Sequence, residues 1–212
     1  NVPYGDYVVR ELKAPESYAV NDNNYYVSIG FDGQTIGVKV LDEKIVGSLE
    51  IIKTDVATGE LIPNCGFEIL DADMNVIVQG YTDENGIAAF PELEYGDYFY
   101  REYDAPEGYV LDETAYPFSI KEDGEIVKAE MTNRKIEGTL ELTKKDVANG
   151  KALPNAGFRI YDEEGNIVAE GKTDKNGVAV FKLTYGKYSY QEYDAPEGYQ
   201  IDDSLFPFEI KK

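Results

Sequence analysis

Apolar and polar residues alternate in short segments along this chain, and no stretch shows the three-to-four spacing of a long amphipathic helix. A period of two places successive side chains on opposite faces of an extended strand, one face dry and one wet. The alternating segments are rich in Val, Ile, Tyr and Phe. Turn signals separate them: Asp32-Gly33, Asn85-Gly86, Gly96-Asp97, Asp123-Gly124, Glu164-Gly165 and Asn176-Gly177. Asn-Gly between apolar runs is a strong hairpin signal. In the middle of the chain the pattern predicts strands near 47–54, 66–71, 75–80, 87–90, 97–103, 116–121 and 125–133. Strands at this spacing imply an all-β antiparallel sandwich.

The pattern also repeats. GSLEIIKTDVATGELIPNCGF (Gly47 to Phe67) returns as GTLELTKKDVANGKALPNAGF from Gly138, 91 positions later. REYDAPEGY (Arg101 to Tyr109) returns as QEYDAPEGY (Gln191 to Tyr199), and RELKAPESY stands at Arg10 to Tyr18. A period this long is a repeated domain, since solenoid units are shorter. Residues 1–46 match only the second half of a repeat, 47–137 make a complete one, and 138–212 make one that stops before its last strand. The breaks between repeats are short, so the domains should sit close together.

Within the repeats three polar residue types fall on the apolar row. Leu49, Ile51 and Lys53 share parity, as do Leu140, Leu142 and Lys144. Val127, Ala129, Met131 and Asn133 share parity, as do Ile36, Val38, Val40 and Asp42. Tyr98, Tyr100 and Glu102 are in phase, and Tyr188, Tyr190, Glu192 and Tyr7, Val9, Glu11 repeat that row. Exposed strand ends would explain one such residue. A buried Lys–Glu ion pair with an Asn hydrogen bond would explain all three, but it is a poor source of stability because both ions lose water. Burial suggests another chemistry. It favours a neutral, nucleophilic lysine and a protonated glutamate. Lysine Nζ can then attack the Asn133 carboxamide with loss of ammonia, or an Asp carboxyl with loss of water, while the Glu moves protons.

Composition narrows the function further. The net charge is −21, with 41 acidic against 20 basic residues. That excludes a nucleic-acid binder, which needs clustered Lys and Arg, and disfavours anionic membrane surfaces. With no His, catalysis by Ser-His-Asp or Cys-His sites is excluded, as are most zinc sites. The single Cys65 has no internal disulfide partner, and Ala156 at the equivalent place makes it a small core filler. Asp71-x-Asp73-x-Asn75 has the opening of a calcium loop but lacks its glycine and flanking helices, so a hairpin turn is expected. No metal and no cofactor are expected. No apolar run in these residues is long enough to cross a bilayer as a helix and none reads as a secretory leader; either is expected outside this segment.

At these residues the chain resembles a known family. LEIIKTD…TGELIPNCGF, TDENGIAAF and YREYDAPEGY are similar to the Cna-B (SpaA-like, prealbumin-like) repeats of Gram-positive surface adhesins and pilins. The resemblance implies tandem inverse immunoglobulin-like sandwiches. It also implies intramolecular isopeptide bonds, each with a Lys from the first strand, Asn or Asp from the last, and Glu from the Glu-x-x-Ala-Pro-x-Gly-Tyr box. In the complete repeat these are Lys53, Asn133 and Glu102. The first repeat keeps Glu11 and Asp42 without a first strand. The third keeps Lys144 and Glu192 without a last strand, so their partners are expected outside this chain or in another molecule. Ser17 replaces the box glycine in the first repeat.

The expected role is a structural stalk segment, extracellular and anchored to the cell wall through regions not present here. Its chemistry would be single-turnover, so it is not expected to be an enzyme. A module contacting a host protein or glycan is the alternative. The expected partners are the neighbouring repeats. Head-to-tail self-association is a further possibility, with Ile36–Lys44 of one chain serving as the last strand of another chain's third repeat and Asp42 meeting Lys144.

Overall fold

A computed structural model describes residues 2–212. Among them no helix occurs; the chain forms short strands in several sheets, paired antiparallel except that the first and last strands of the complete repeat run parallel, joined by Ser48 N to Glu125 O and Val56 N to Asn133 O. The chain divides into two compact units. One gathers the chain up to Thr54 with Thr58–Ala105 and Leu111–Thr132. The other gathers Asp55–Ala57, Pro106–Val110 and Asn133–Lys212.

In the first unit, β1 (Gly5–Val9) and β2 (Tyr25–Ile29) form a two-stranded sheet. The complete repeat follows as β3 (Val46–Asp55), β4 (Gly66–Leu70), β5 (Val76–Tyr81), β6 (Ile87–Glu94), β7 (Gly96–Asp104), β8 (Tyr116–Ile120) and β9 (Ile126–Asn133). These make a three-stranded sheet in the order β6-β3-β9 and a four-stranded sheet in the order β5-β4-β7-β8. The last strand therefore lies beside the first. Leu49 and Ile51 of β3 and Phe67 and Ile69 of β4 are fully buried, with Phe90 and Ile120 beside them in the core.

The second unit repeats the plan with β10 (Glu137–Thr143), β11 (Gly157–Tyr161), β12 (Ile167–Lys172), β13 (Val178–Thr184), β14 (Gly186–Asp194) and β15 (Phe206–Ile210). Its sheets run β10-β13 and β12-β11-β14-β15 around a core of Leu142, Phe158, Ile160, Phe181 and Ile210. The architecture is all-β, with tandem, mainly antiparallel sandwiches.

The structure departs from the predicted strand limits in two places. β6 runs on to Glu94, past Pro91, where the pattern ends at Phe90. Its register against β3 shifts between Gly47 and Leu49, and Glu92 adopts a positive φ of 60°. A bulge is one of the few places where a strand tolerates proline. Residues 36–44, expected as a last strand, form no strand; Lys44 makes only an isolated bridge with Tyr18. Among the described residues no strand lies alongside them, and a strand needs a ladder partner for its backbone groups. The alternation survives without the ladder: Val38, Val40 and Asp42 are half-buried, while Gly37, Lys39 and Leu41 are exposed.

Each unit also contains a joint that the sequence pattern does not announce. In the first unit the Ile45 N–H donates to Ser17 O at 2.9 Å and the Tyr95 N–H to Ile45 O at 3.0 Å. The Tyr95 hydroxyl then reaches Glu16 Oε1 at 3.0 Å. In the second unit Ile136 donates to Gly108 O at 2.8 Å, Tyr185 N donates to Ile136 O at 2.7 Å, and the Tyr185 hydroxyl bonds Glu107. The segments joining successive repeats are thus pinned on both sides by the same three bonds.

Candidate functional site

β3 begins as an ordinary half-buried strand, and Leu49, Ile51 and Lys53 face inward in turn. Lys53 is fully buried, and so is Glu102 on β7. Lys53 Nζ stands 3.5 Å from Glu102 Oε1 and 5.7 Å from the centre of the Phe67 ring. Burial is the largest influence on Lys53 and lowers its pKa from the usual 10.5; the Glu102 carboxylate works in the opposite direction. Asn133 ends β9, the neighbour of β3, and is 2% exposed. Lys53, Glu102 and Asn133 are thus each buried.

Glu102 is held from its far side. The Asp112 N–H donates to Glu102 Oε2 at 2.9 Å. Asp112 is itself fixed: its Oδ1 accepts from Thr114 N at 3.0 Å and its Oδ2 from the Tyr116 hydroxyl at 2.9 Å. Cys65 lies in the same dry interior. Burial is the main cause pushing its thiol up to about 12, with Glu102 adding to the effect.

The third repeat keeps part of this arrangement. Lys144 Nζ meets Glu192 Oε2 at 2.9 Å, and the Asp202 N–H donates to the same oxygen at 3.0 Å. Glu192 is buried, and among the described residues its Oε1 has no hydrogen-bond partner. Where Lys53 has no exposure, the Lys144 side chain is 25% exposed. It borders a cavity of about 460 Å³ with Leu142, Phe158, Tyr190, Glu192 and Phe206. In the complete repeat, β9 lies beside the strand that carries the corresponding lysine.

The first repeat keeps Glu11, whose Oε2 accepts from Asn21 N at 2.8 Å, and Asp42. Asp42 is held above the usual carboxylate range, first by burial and then by its neighbour Glu11. Its segment is tied down at its end by Ala19 N to Glu43 O, 2.8 Å, and Asn21 Nδ2 to Leu41 O, 2.8 Å.

Several contacts escaped the sequence reading. Asp55, two residues beyond Lys53, is 2% exposed and accepts the Tyr109 hydroxyl at 3.0 Å. Asp146 and Tyr199 repeat this bond at 3.0 Å. The signal lay in the repeated Lys-x-Asp and Gly-Tyr elements, which the residue pattern alone does not connect. Asp71, considered for calcium, accepts from Asp73 N and Asn75 N at 2.9 Å each and so caps a hairpin. No group of three or more possible metal ligands occurs among the described residues.

Comparison with known proteins agrees with the fold. The TIE protein of Bacillus anthracis aligns with the whole of this chain and 40% of its own, at 46% identity and a TM-score of 0.89. The collagen adhesin of Staphylococcus aureus is 29% identical over 192 residues, covering 75% of this chain and 16% of that protein. The pilus adhesin SpaC of Lactobacillus rhamnosus GG shares the fold at a TM-score of 0.54 and 17% identity, over 80% of this chain and 27% of its own. The chain thus spans less than half the length of each. The family described as SpaA, prealbumin-like fold domain, matches residues 1–44, 47–135 and 138–212, and the chain belongs to that family.

Proposed function

We propose that this chain is a structural segment of a Gram-positive surface adhesin or pilin, exposed outside the cell, and that its complete repeat is closed by an isopeptide bond between Lys53 and Asn133. The carrying observation is the burial of an uncompromised charge pair: Lys53 and Glu102 are both fully inaccessible and 3.5 Å apart. Such a pair costs more in desolvation than it returns as stability, so its presence calls for another purpose. The family and the likeness to a collagen adhesin support the location.

In the reaction Lys53 passes a proton to Glu102 and becomes a neutral amine. Nζ attacks Asn133 Cγ. The Nζ–Cγ bond forms, the Cγ–Nδ2 bond breaks, and Glu102 relays a proton from the attacking nitrogen to the departing one, so that ammonia leaves. Folding supplies the proximity, and general acid–base transfer the remainder. Each molecule reacts once, and the product ties the first strand of the sandwich to the last. Tension applied at the two ends would then pass through the covalent tie rather than through the hydrogen bonds of the sheet. Lys144 with Glu192, and Glu11 with Asp42, are incomplete versions of the same set.

Intact mass decides the reading. The purified chain should be lighter than its sequence by one ammonia, and Lys53→Ala or Glu102→Ala should each have the full sequence mass. An unmodified parent mass overturns the proposal.

A further inference from the structure

The box that carries Glu11, Glu102 and Glu192 runs into an Ala-Pro turn, and the turn has one conformation in all three repeats. The Tyr18, Tyr109 and Tyr199 N–H groups donate to Pro15 O, Pro106 O and Pro196 O at 3.1, 3.1 and 3.0 Å. The residue before each tyrosine is left-handed, with φ of 73° at Ser17, 90° at Gly108 and 87° at Gly198. The turn is therefore set by its own residues.

Its covering differs. Gly108 is buried, and an added Cβ would lie 3.2 Å from the Tyr185 ring. Gly198 is exposed, with nothing within 4 Å of the same point. Tyr185 stands at the corner between β13 and β14, in the repeat that follows Gly108. Tyr95 holds the same corner between β6 and β7. Each reaches back to the turn of the repeat before it: the Tyr95 hydroxyl to Glu16 at 3.0 Å, the Tyr185 hydroxyl to Glu107. Both rings are half-buried, whereas Tyr4, at the same place before β1, is 67% exposed.

The division into compact units points the same way. Pro106–Val110 belong with Asn133–Lys212, although Ala105, the residue before them, belongs to the first unit. Within that second unit Val110 N donates to Arg134 O at 3.0 Å, and Ile136 N to Gly108 O at 2.8 Å. Ile136 O in turn accepts from Tyr185 N at 2.7 Å.

We infer that the Ala-Pro turn of each box is a docking surface for the repeat that follows, that the corner tyrosine of that repeat is its recognition residue, and that the turn after Glu102 opens with the third repeat and not with its own sandwich. A turn that already holds its bound conformation loses little freedom on docking. A phenol donating to a carboxylate is a charge-assisted hydrogen bond, stronger than a neutral one. Nothing in this docking needs the proposed cross-link.

Hydrogen exchange of the full 212-residue chain, read at single amides by NMR over a series of urea concentrations below unfolding, tests the assignment. The Val110 and Ile136 amides should open together with those of β13 and β14. Tyr185→Phe should speed exchange at both amides by about fivefold, the loss of one hydrogen bond, and leave the Ile69 amide of β4 at the parent rate. Glu107 is exposed, so Glu107→Ala removes the same bond without disturbing a core and should give the same rise. Opening of Val110 and Ile136 with β7, apart from β13, overturns the docking. So does unchanged exchange at these amides in either variant. If the two sandwiches open together, the variants decide; should Tyr185→Phe fail to fold, Glu107→Ala decides alone.

Discussion

Replacing Asn133 by Ala isolates the covalent tie better than any change at Lys53 or Glu102, because it leaves the buried Lys53–Glu102 pair at 3.5 Å intact. The bond between positions 53 and 133 would close a loop of about 80 residues. The chain-entropy treatment of a cross-link assigns such a loop about 4.5 kcal/mol at 25 °C. Loss of the buried side chain's own hydrogen bonding adds about 1 kcal/mol. The expected destabilisation is therefore about 5 to 6 kcal/mol. In a domain of about 90 residues each kcal/mol moves the melting point by roughly 4–8 °C, so the affected transition should fall by roughly 20–40 °C. Scanning calorimetry of parent and variant measures it, with intact mass on the same samples. If the variant carries the full sequence mass while the parent is lighter by one ammonia, and the transition still moves by less than about 7 °C, the entropic account of the tie is wrong. If both proteins carry the full sequence mass, there is no tie to account for.

Three other outcomes are expected. Gly86 has φ +66°, and an added Cβ would lie 2.9 Å from Lys53 O, whereas Gly59 has φ +74° and open space around it. Urea titration should therefore show Gly86→Ala costing at least about 2 kcal/mol and Gly59→Ala only about 1, the strain of the left-handed backbone alone. The Cys65 thiol, pushed up to about 12 by burial, should resist a thiol reagent at neutral pH in the native protein and react fully after denaturation. In the uncross-linked Asn133→Ala chain, Lys53 is lowered from 10.5 when folded, so the unfolded state binds the extra proton. Stability should then rise with pH from the lowered value up to 10.5. Adding Lys53→Met should remove that slope, as read from denaturant midpoints across the alkaline range.

Much of this fold could be read from alternation and turns because both are local. Asn85-Gly86 and Asn176-Gly177 place two turns, and Gly86 and Gly177 do adopt positive φ, but each turn carries the chain from one sheet to the other (β5 to β6, β12 to β13) instead of closing a hairpin. The row Leu49, Ile51, Lys53 is buried residue by residue, as its parity requires. What local pattern could not carry was anything that depends on a distant partner. The extension of β6 past Pro91 follows from a bulge set by β3. Residues 36–44 have the alternation of a strand and no ladder to join. The Asp55–Tyr109 bond spans 54 positions, and nothing in either residue's own neighbourhood foretells the other.

The three incomplete and complete repeats also separate what the fold does from what the reaction would need. The amide-to-glutamate bond is present with lysine and asparagine (Glu102), with lysine alone (Glu192), and with neither lysine nor a strand ladder on the last segment (Glu11). It therefore does not depend on the ion pair or on the last strand. The glutamate is placed by its own loop, through a bond ten residues along the chain, before the outer strands contribute anything. Lysine behaves differently: its side chain is 25% exposed at Lys144 and inaccessible at Lys53, where the last strand lies alongside. Docking of that strand is then the step that dries the lysine. The nucleophile of the proposed reaction would lose its hydration and gain its target in the same event, so that chemistry would wait for a correctly paired sandwich. A misregistered last strand would present its polar residue on the wrong face, since a one-residue slip exchanges the two faces, and would leave the lysine without a carboxamide to attack.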